Sequence, residues 1–247
     1  MGMIAEIAIT LLLAGYQYGG TFIAAVICSD GIVIAADSRT TFLDTSGNPF
    51  AYLDGVPKIY VDRGAAVAVS GMTSMDGELF SSFVRRNHDL LSRPVNEVMF
   101  GFLLWMPFTN GNNVGMISAG FIDGKPMICS KAPIVPQNCI NSGFVSNKTS
   151  AVLHDSIAKL GRLPTTQEAA AALTAAIGDY SRIDRSVGGP VSVLKLSGVA
   201  PPQWAGSPPT DPQLSHICDL VAKRGMDIVA VGSREELQRQ LNAACRK

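Results

Sequence analysis

Thr21 follows Gly19-Gly20 and opens an apolar, β-branched run that ends at Cys28. After the turn Ser29-Asp30-Gly31, a second apolar run from Ile32 ends in Asp37-Ser38-Arg39. Two such runs about an Asp-Gly turn predict a β-hairpin. Folding it about Asp30 pairs residues whose numbers sum to about 60, by antiparallel register. Thr21 then lies beside Asp37, Ser38 and Arg39, so a hydroxyl meets a carboxylate and a cation at one strand end. Cutting the chain before Thr21 would give that residue a free α-amine, and a threonine with its own amine is an activated nucleophile. The plainer alternatives are a threonine at a strand edge and a charged strand end turning into solvent.

The same residues carry a family resemblance. Gly20-Thr21 and the stretch from Asp30 to Arg39 resemble the N-terminal segment of proteasome β-type subunits. Those are N-terminal-nucleophile hydrolases made with a propeptide that they remove themselves. The interval from Thr21 to Asp37 matches that family's interval between nucleophile and aspartate. The resemblance runs, with gaps, from about Thr21 to about Leu196, and is weakest after Val199.

The resemblance implies a set of roles. Thr21 is the nucleophile, first against the Gly20 carbonyl in self-cleavage of Gly20-Thr21, then against substrate peptides. Its freed amine, with a reference pKa of about 7.7–8.0, is suited to act as general base near neutral pH. Lys58, in Val56-Pro57-Lys58-Ile59, matches the family lysine, which favours a developing alkoxide and is held by Asp37. The N–H of Gly71 is the implied oxyanion donor. Ser142, in Asn141-Ser142-Gly143, and Asp184, before Gly188-Gly189, match supporting residues near the nucleophile's amine. The family often has serine three residues after that aspartate; this chain has Val187, with Ser186 adjacent. Val69 aligns with the base of the pocket before the scissile bond, and Thr40, Val56 and Thr73 with its walls. None is charged, which implies tolerance of apolar side chains. Without the resemblance, Lys58 reads as a strand-end lysine, Gly71 as a strand-ending glycine, and Ser142 and Asp184 as cap or turn residues.

Composition bounds the rest. The chain has 247 residues, enough for one large domain or two small ones. It is 47% hydrophobic and 16% charged, against a typical ~25% charged, which fits surface buried between subunits or a large core. Twenty basic and twenty acidic residues balance, leaving no footprint for nucleic acid and no polybasic stretch for membranes. Five scattered cysteines without Cys-x-x-Cys predict reduced core thiols and a cytoplasmic setting. Three histidines without ligand spacing predict no metal site, and no cofactor is expected. Residues 4–15 resemble a signal-peptide core, but no Lys or Arg precedes them and Glu6 interrupts them, which favours a removable propeptide. Asn147-Lys148-Thr149 fits the glycosylation pattern, which carries no meaning in a cytoplasmic protein.

The elements that must position these residues follow from pattern. The hairpin of residues 21–38 leads to a polar loop, 40–54, and a second hairpin, 58–61 with 65–70, that sets Lys58 and Gly71 at one end. Helices are expected over 76–86, over 95–105 after Ser92 and Pro94, between Gly143 and Gly161, and over 167–180. Strands are expected over 115–122, 125–130 and 191–196. This order predicts an α+β fold, and it resembles the four-layer αββα sandwich of N-terminal-nucleophile hydrolases. The implied domains are a propeptide (1–20), a hydrolase domain (21–199) and an extension of unassigned role (200–247), for which a helix over 211–224, a strand over 226–231 and a helix from Ser233 are expected.

The leading expectation is a self-processing threonine peptidase in a homo-oligomeric ring. Its substrates would be peptides or unfolded proteins, with a separate ATP-dependent unfoldase as partner, because the chain has no Gly-x-x-x-x-Gly-Lys motif of its own. A catalytically silent ring subunit and a small-molecule amidase or acyl-transferase on the same fold are the competing expectations.

Overall fold

The computed structural model describes residues 18–19, 21–43, 49–62, 65–71, 74–75, 78–79, 84–103, 115–132 and 135–206. Strands β2 (Ile23–Cys28) and β3 (Gly31–Ala36) form the expected hairpin, with Ile23 opposite Ala36 and Cys28 opposite Gly31. Both strands are apolar along their whole length because both faces are covered. Ile23, Ala25, Ile32 and Ile34 face a core shared with Ile59, Ala66, Ala68 and Ile117. Ala24, Val26, Val33 and Ala35 face the other way, against Ala169, Leu173 and Ile177.

Two five-stranded antiparallel sheets result. The first runs β13 (Phe144–Ser146), β2, β3, β14 (Ser192–Leu196) and β15 (Gln203–Trp204). The second runs β12 (Val135–Ile140), β11 (Lys125–Ala132), β10 (Gly115–Ile122), β7 (Ala65–Ser70) and β6 (Ile59–Val61). One core lies between the sheets. Helix α1 (Val95–Leu103) covers the far side of the second sheet, setting Val95, Val98, Met99 and Phe102 on Ala65, Val67 and Val69. Helices α2 (Ala151–Ala158) and α3 (Thr166–Ile183) cover the far side of the first. The architecture is mixed α/β.

Local chemistry anchors α3 to the hairpin. Thr165 and Glu168 form a capping box at its start, and Asp30, in the β2–β3 turn, accepts bonds from Thr166 N and Oγ1 at 2.7 and 3.0 Å. The α1 start is as expected from Pro94, whose carbonyl takes the N–H groups of Glu97 and Val98.

Several expectations are corrected. The 40–54 stretch is a hairpin, β4 (Thr40–Leu43) with β5 (Pro49–Leu53), and β1 (Tyr18–Gly19) pairs with the other edge of β4. Of the helix expected over 76–86, residues 84–86 are helical, and the short strands β8 (Ser74–Met75) and β9 (Glu78–Leu79) pair instead. β13 stands where a helix was expected to start after Gly143. β12 gave no strand signal because it is a polar edge strand containing Pro136. β15 adds the start of the expected extension to the sheet edge. The elements expected over 211–247 and residues 1–17 lie outside the described residues.

Cysteine usage is also corrected. Cys129 and Cys139 face each other across β11 and β12 and are joined by a disulfide, while Cys28 is a free, buried thiol. Two of the five cysteines are therefore not the reduced thiols that composition predicts. No helix among the described residues is long and apolar enough to cross a membrane. No cluster of three or more His, Cys, Asp or Glu that could hold a metal ion occurs among them.

Candidate functional site

The ends of β2, β3 and β6 converge. Thr21 precedes β2, Asp37 follows β3 and Lys58 precedes β6; their relative exposures are 3%, 1% and 2%. The Lys58 Nζ donates to Thr21 Oγ1 at 2.9 Å, to Asp37 Oδ1 at 2.9 Å and to the Arg39 carbonyl at 2.5 Å. Asp37 is saturated as an acceptor. Its Oδ1 also takes the Phe22 N–H, and its Oδ2 takes the N–H groups of Arg39 and Gly188. Four donors hold one carboxylate and fix where it aims the lysine. Burial lowers the Lys58 pKa from its ordinary range, and the Asp37 charge opposes that shift. A buried amine with a weakened hold on its proton, touching a hydroxyl, is equipped to move a proton to or from that hydroxyl.

Ser38 and Arg39 tie the surrounding loops to this centre. Ser38 accepts the Val56 N–H at its carbonyl and the Gly55 N–H at its hydroxyl, which sets the approach of the chain to Lys58. The Arg39 guanidinium forks onto Asp54 at 2.7 and 2.9 Å and donates to the Arg185 carbonyl at 3.0 Å. Glycine is needed where the 185–189 loop crosses it. A Cβ on Gly188 would lie 2.7 Å from Arg39 Cζ, and one on Gly189 would lie 2.6 Å from Ser38 Oγ. So Asp37-Ser38-Arg39 is a hub between two loops rather than a strand end turning into solvent.

The other expected residues fall as follows. Gly71 directly follows β7 at a φ of 96°, a left-handed conformation that glycine adopts without penalty. Val69 is buried on β7 in the cluster beneath α1, and its N–H donates to the Lys58 carbonyl at 3.0 Å. Val56 is half-buried in the loop held by Ser38. Thr40 opens β4, with its backbone opposite Leu53. Gly20 and Thr73 lie outside the described residues. Ser142 is exposed in the bend between β12 and β13. Asp184 caps the C-terminus of α3; it accepts bonds from the Ser186 N–H and hydroxyl and lies 3.7 Å from Lys148 Nζ. Val187 is fully buried.

Asn147 was missed. Its Nδ2 donates to the Thr21 carbonyl at 2.8 Å and its Oδ1 accepts the Ile23 N–H at 2.9 Å. Sequence reading noted it only as part of a glycosylation pattern and expected helix there. The one available signal was its place just past an unrecognised strand.

No protein-family model and no curated protein matches the chain. Solved structures do. Two Anbu structures from Hyphomicrobium sp. strain MC1, one described as a Gly-1 mutant, are 17% and 16% identical, with TM-scores of 0.59 and 0.55. They cover 76% and 75% of this chain and 88% of each of theirs. Anbu, described as an ancestral beta-subunit, from Yersinia bercovieri is 15% identical with a TM-score of 0.56 over 71% of this chain and 81% of its own. At this identity the likeness is one of fold. It corrects the resemblance drawn from sequence: these neighbours are Anbu proteins, a family distinct from the proteasome β-type subunits.

Proposed function

We propose that this chain is a threonine-type hydrolase that cleaves its own Gly20-Thr21 bond and then hydrolyses peptide bonds through an ester on Thr21. The observation that carries the reading is the buried contact of Lys58 Nζ with both Thr21 Oγ1 and Asp37 Oδ1, each at 2.9 Å.

Self-cleavage begins when Thr21 Oγ attacks the Gly20 carbonyl carbon. The Oγ proton passes through Lys58 and on to the Thr21 nitrogen as the C–N bond breaks. The product is an ester between Gly20 and Thr21 Oγ with a free amine on Thr21. Water hydrolyses the ester, leaving a carboxylate on Gly20 and restoring the hydroxyl. In turnover the Thr21 amine takes the Oγ proton and delivers it to the leaving amine of the substrate. An acyl ester forms on Thr21, and water releases it. Gly71 N–H is the proposed oxyanion donor, worth about 3–4 kcal/mol of transition-state stabilisation. Ser142 and Asp184, the latter with Ser186 and Lys148, are proposed to line the amine side.

The backbone supports the same reading. Gly19 pairs with Thr41 and Tyr18 with Phe42, so the segment before Thr21 is an added strand on β4. A peptide substrate is proposed to take that edge after the segment leaves, with Thr40, Val56, Val69 and Thr73 around the side chain before the scissile bond. Residues 1–20 are thus the proposed propeptide and 21–199 the hydrolase domain, with the layers arranged as an αββα sandwich of the N-terminal-nucleophile type. A homo-oligomeric ring served by a separate unfoldase is the proposed assembly.

The test is the intact mass of the purified protein and of a Thr21→Ala variant. Loss of residues 1–20 only when Thr21 is present supports the reading. A full-length chain in both, after long incubation, overturns it and favours a silent subunit.

A further inference from the structure

Resting on the threonine-hydrolase reading, we infer that Asn147 is a positioning residue for the Thr21 nucleophile. Hydrolysis before Thr21 makes that residue a chain terminus, and termini fray unless tied down. A nucleophile displaced by about 1 Å loses rate steeply, on the order of 10²-fold. Something must therefore hold the new first residue without using its hydroxyl or amine.

Asn147 does so through the backbone. The β13–β2 pairing ends at Ser146, opposite Ala24. Beyond that point the Asn147 side chain continues the ladder in place of a strand. Its Nδ2 donates to the Thr21 carbonyl at 2.8 Å, its Oδ1 accepts the Ile23 N–H at 2.9 Å, and its own N–H donates to the Ile23 carbonyl at 3.1 Å. The first two bonds lie on either side of Phe22, whose N–H is held by Asp37 at 2.9 Å. The Thr21 peptide plane is thus clamped from two sides, by Asn147 and by Asp37. The turn behind Asn147 is itself fixed: Ser146 Oγ donates to the Lys148 carbonyl at 2.8 Å. An amide is the side chain that fits, because it offers one donor and one acceptor to a carbonyl and an N–H. These bonds also engage the amide nitrogen that glycosylation would use.

Asn147→Asp and Asn147→Ala separate positioning from mere structure. Aspartate keeps the acceptor for Ile23 but, when ionised, has no donor for the Thr21 carbonyl. Alanine loses both. In the full-length protein, self-cleavage would be followed by intact mass at pH 8, and the processed chain's kcat and KM on a short apolar fluorogenic peptide would be measured with its Tm. At pH 8 both variants should be slower by about tenfold or more, in kcat rather than KM, the size of one lost hydrogen bond. A loss confined to kcat, with Tm near wild type, is the mark of positioning rather than of fold stability.

Wild-type rates in both variants would overturn the positioning role. So would a deficit that follows a fall in Tm, or one that appears in KM rather than in kcat. Absence of self-cleavage and turnover in the wild type would instead overturn the hydrolase reading, and the positioning role with it.

Discussion

Lys58 Nζ lies 2.9 Å from Thr21 Oγ1, with both residues buried. It also donates to Asp37 at the same distance and to the Arg39 carbonyl, so changing one member of the set disturbs the rest. Replacing Lys58 by Met should slow self-cleavage by about 10²–10⁴-fold, the usual worth of a positioned acid–base group. It should also destabilise the fold by about 3–5 kcal/mol, because Asp37 is left buried without its cation. The double change Asp37→Asn with Lys58→Met should recover none of the cleavage and only part of that stability, because an amide nitrogen cannot accept the N–H groups that one Asp37 oxygen accepts. Denaturant melts beside intact-mass time courses check both parts. A double variant that cleaves at the wild-type rate would remove the pair from the chemistry.

Gly188→Ala tests the hub from the loop side. The new Cβ would lie 2.7 Å from Arg39 Cζ, so either the guanidinium leaves Asp54 or the loop moves with the Gly188 N–H that donates to Asp37 Oδ2. A cost of about 1–3 kcal/mol is expected for such overpacking, read as a drop in Tm of several degrees, together with slower self-cleavage. Unchanged Tm and rate would mean that the loop shifts without disturbing Asp37.

Acid stability should carry the signature of Glu168. Its bonds with Arg162 and with the Thr165 N–H hold its carboxyl down at about 2, from 4.5. A carboxyl lowered on folding adds stability that is complete above its unfolded value and disappears as pH falls through its folded value. The wild type should therefore lose stability between pH 4.5 and about 2 by an amount that Glu168→Gln lacks. Paired urea melts across that range measure the difference, and parallel curves would exclude the contribution.

Cys28 should be inert. Burial, reinforced by the Asp30 charge, pushes its thiol up to about 12 from 9.0, so the reactive thiolate is scarce at pH 8. Alkylation of the native protein without reductant, followed by peptide mapping, should leave Cys28 unmodified and recover Cys129 and Cys139 as one linked peptide. Labelling of Cys139 in the native, unreduced protein would show the bridge absent.

Sequence pattern located the hairpin that carries Thr21 and Asp37 because continuous apolar runs about an Asp-Gly turn have few other ways to fold. The Lys58 contact was implied by resemblance and is present in the structure. What stayed hidden shares a cause. β5, β12 and β13 are short or polar strands at sheet edges, and β4 is only four residues long, so alternation is weak in each. Asn147 depends on a contact with Thr21 across 126 residues of chain, which no local pattern encodes. Arg39 and Gly188 likewise meet only after two loops fold over the strand end. The resemblance, for its part, named the wrong relatives, because the hairpin motif that carried it is short.

The pairing of β1 with β4 covers two residues on each strand. While Gly20 and Thr21 remain joined, that ladder is intramolecular and forms at an effective concentration in the millimolar range. After the proposed hydrolysis the same contact would meet the full loss of translational freedom, several kcal/mol, with two residue pairs among the described residues to oppose it. The freed segment should leave quickly and not return, so maturation runs in one direction. In the proposed reaction, a single bond cleavage would thereby create the nucleophile's amine and vacate the strand edge beside it.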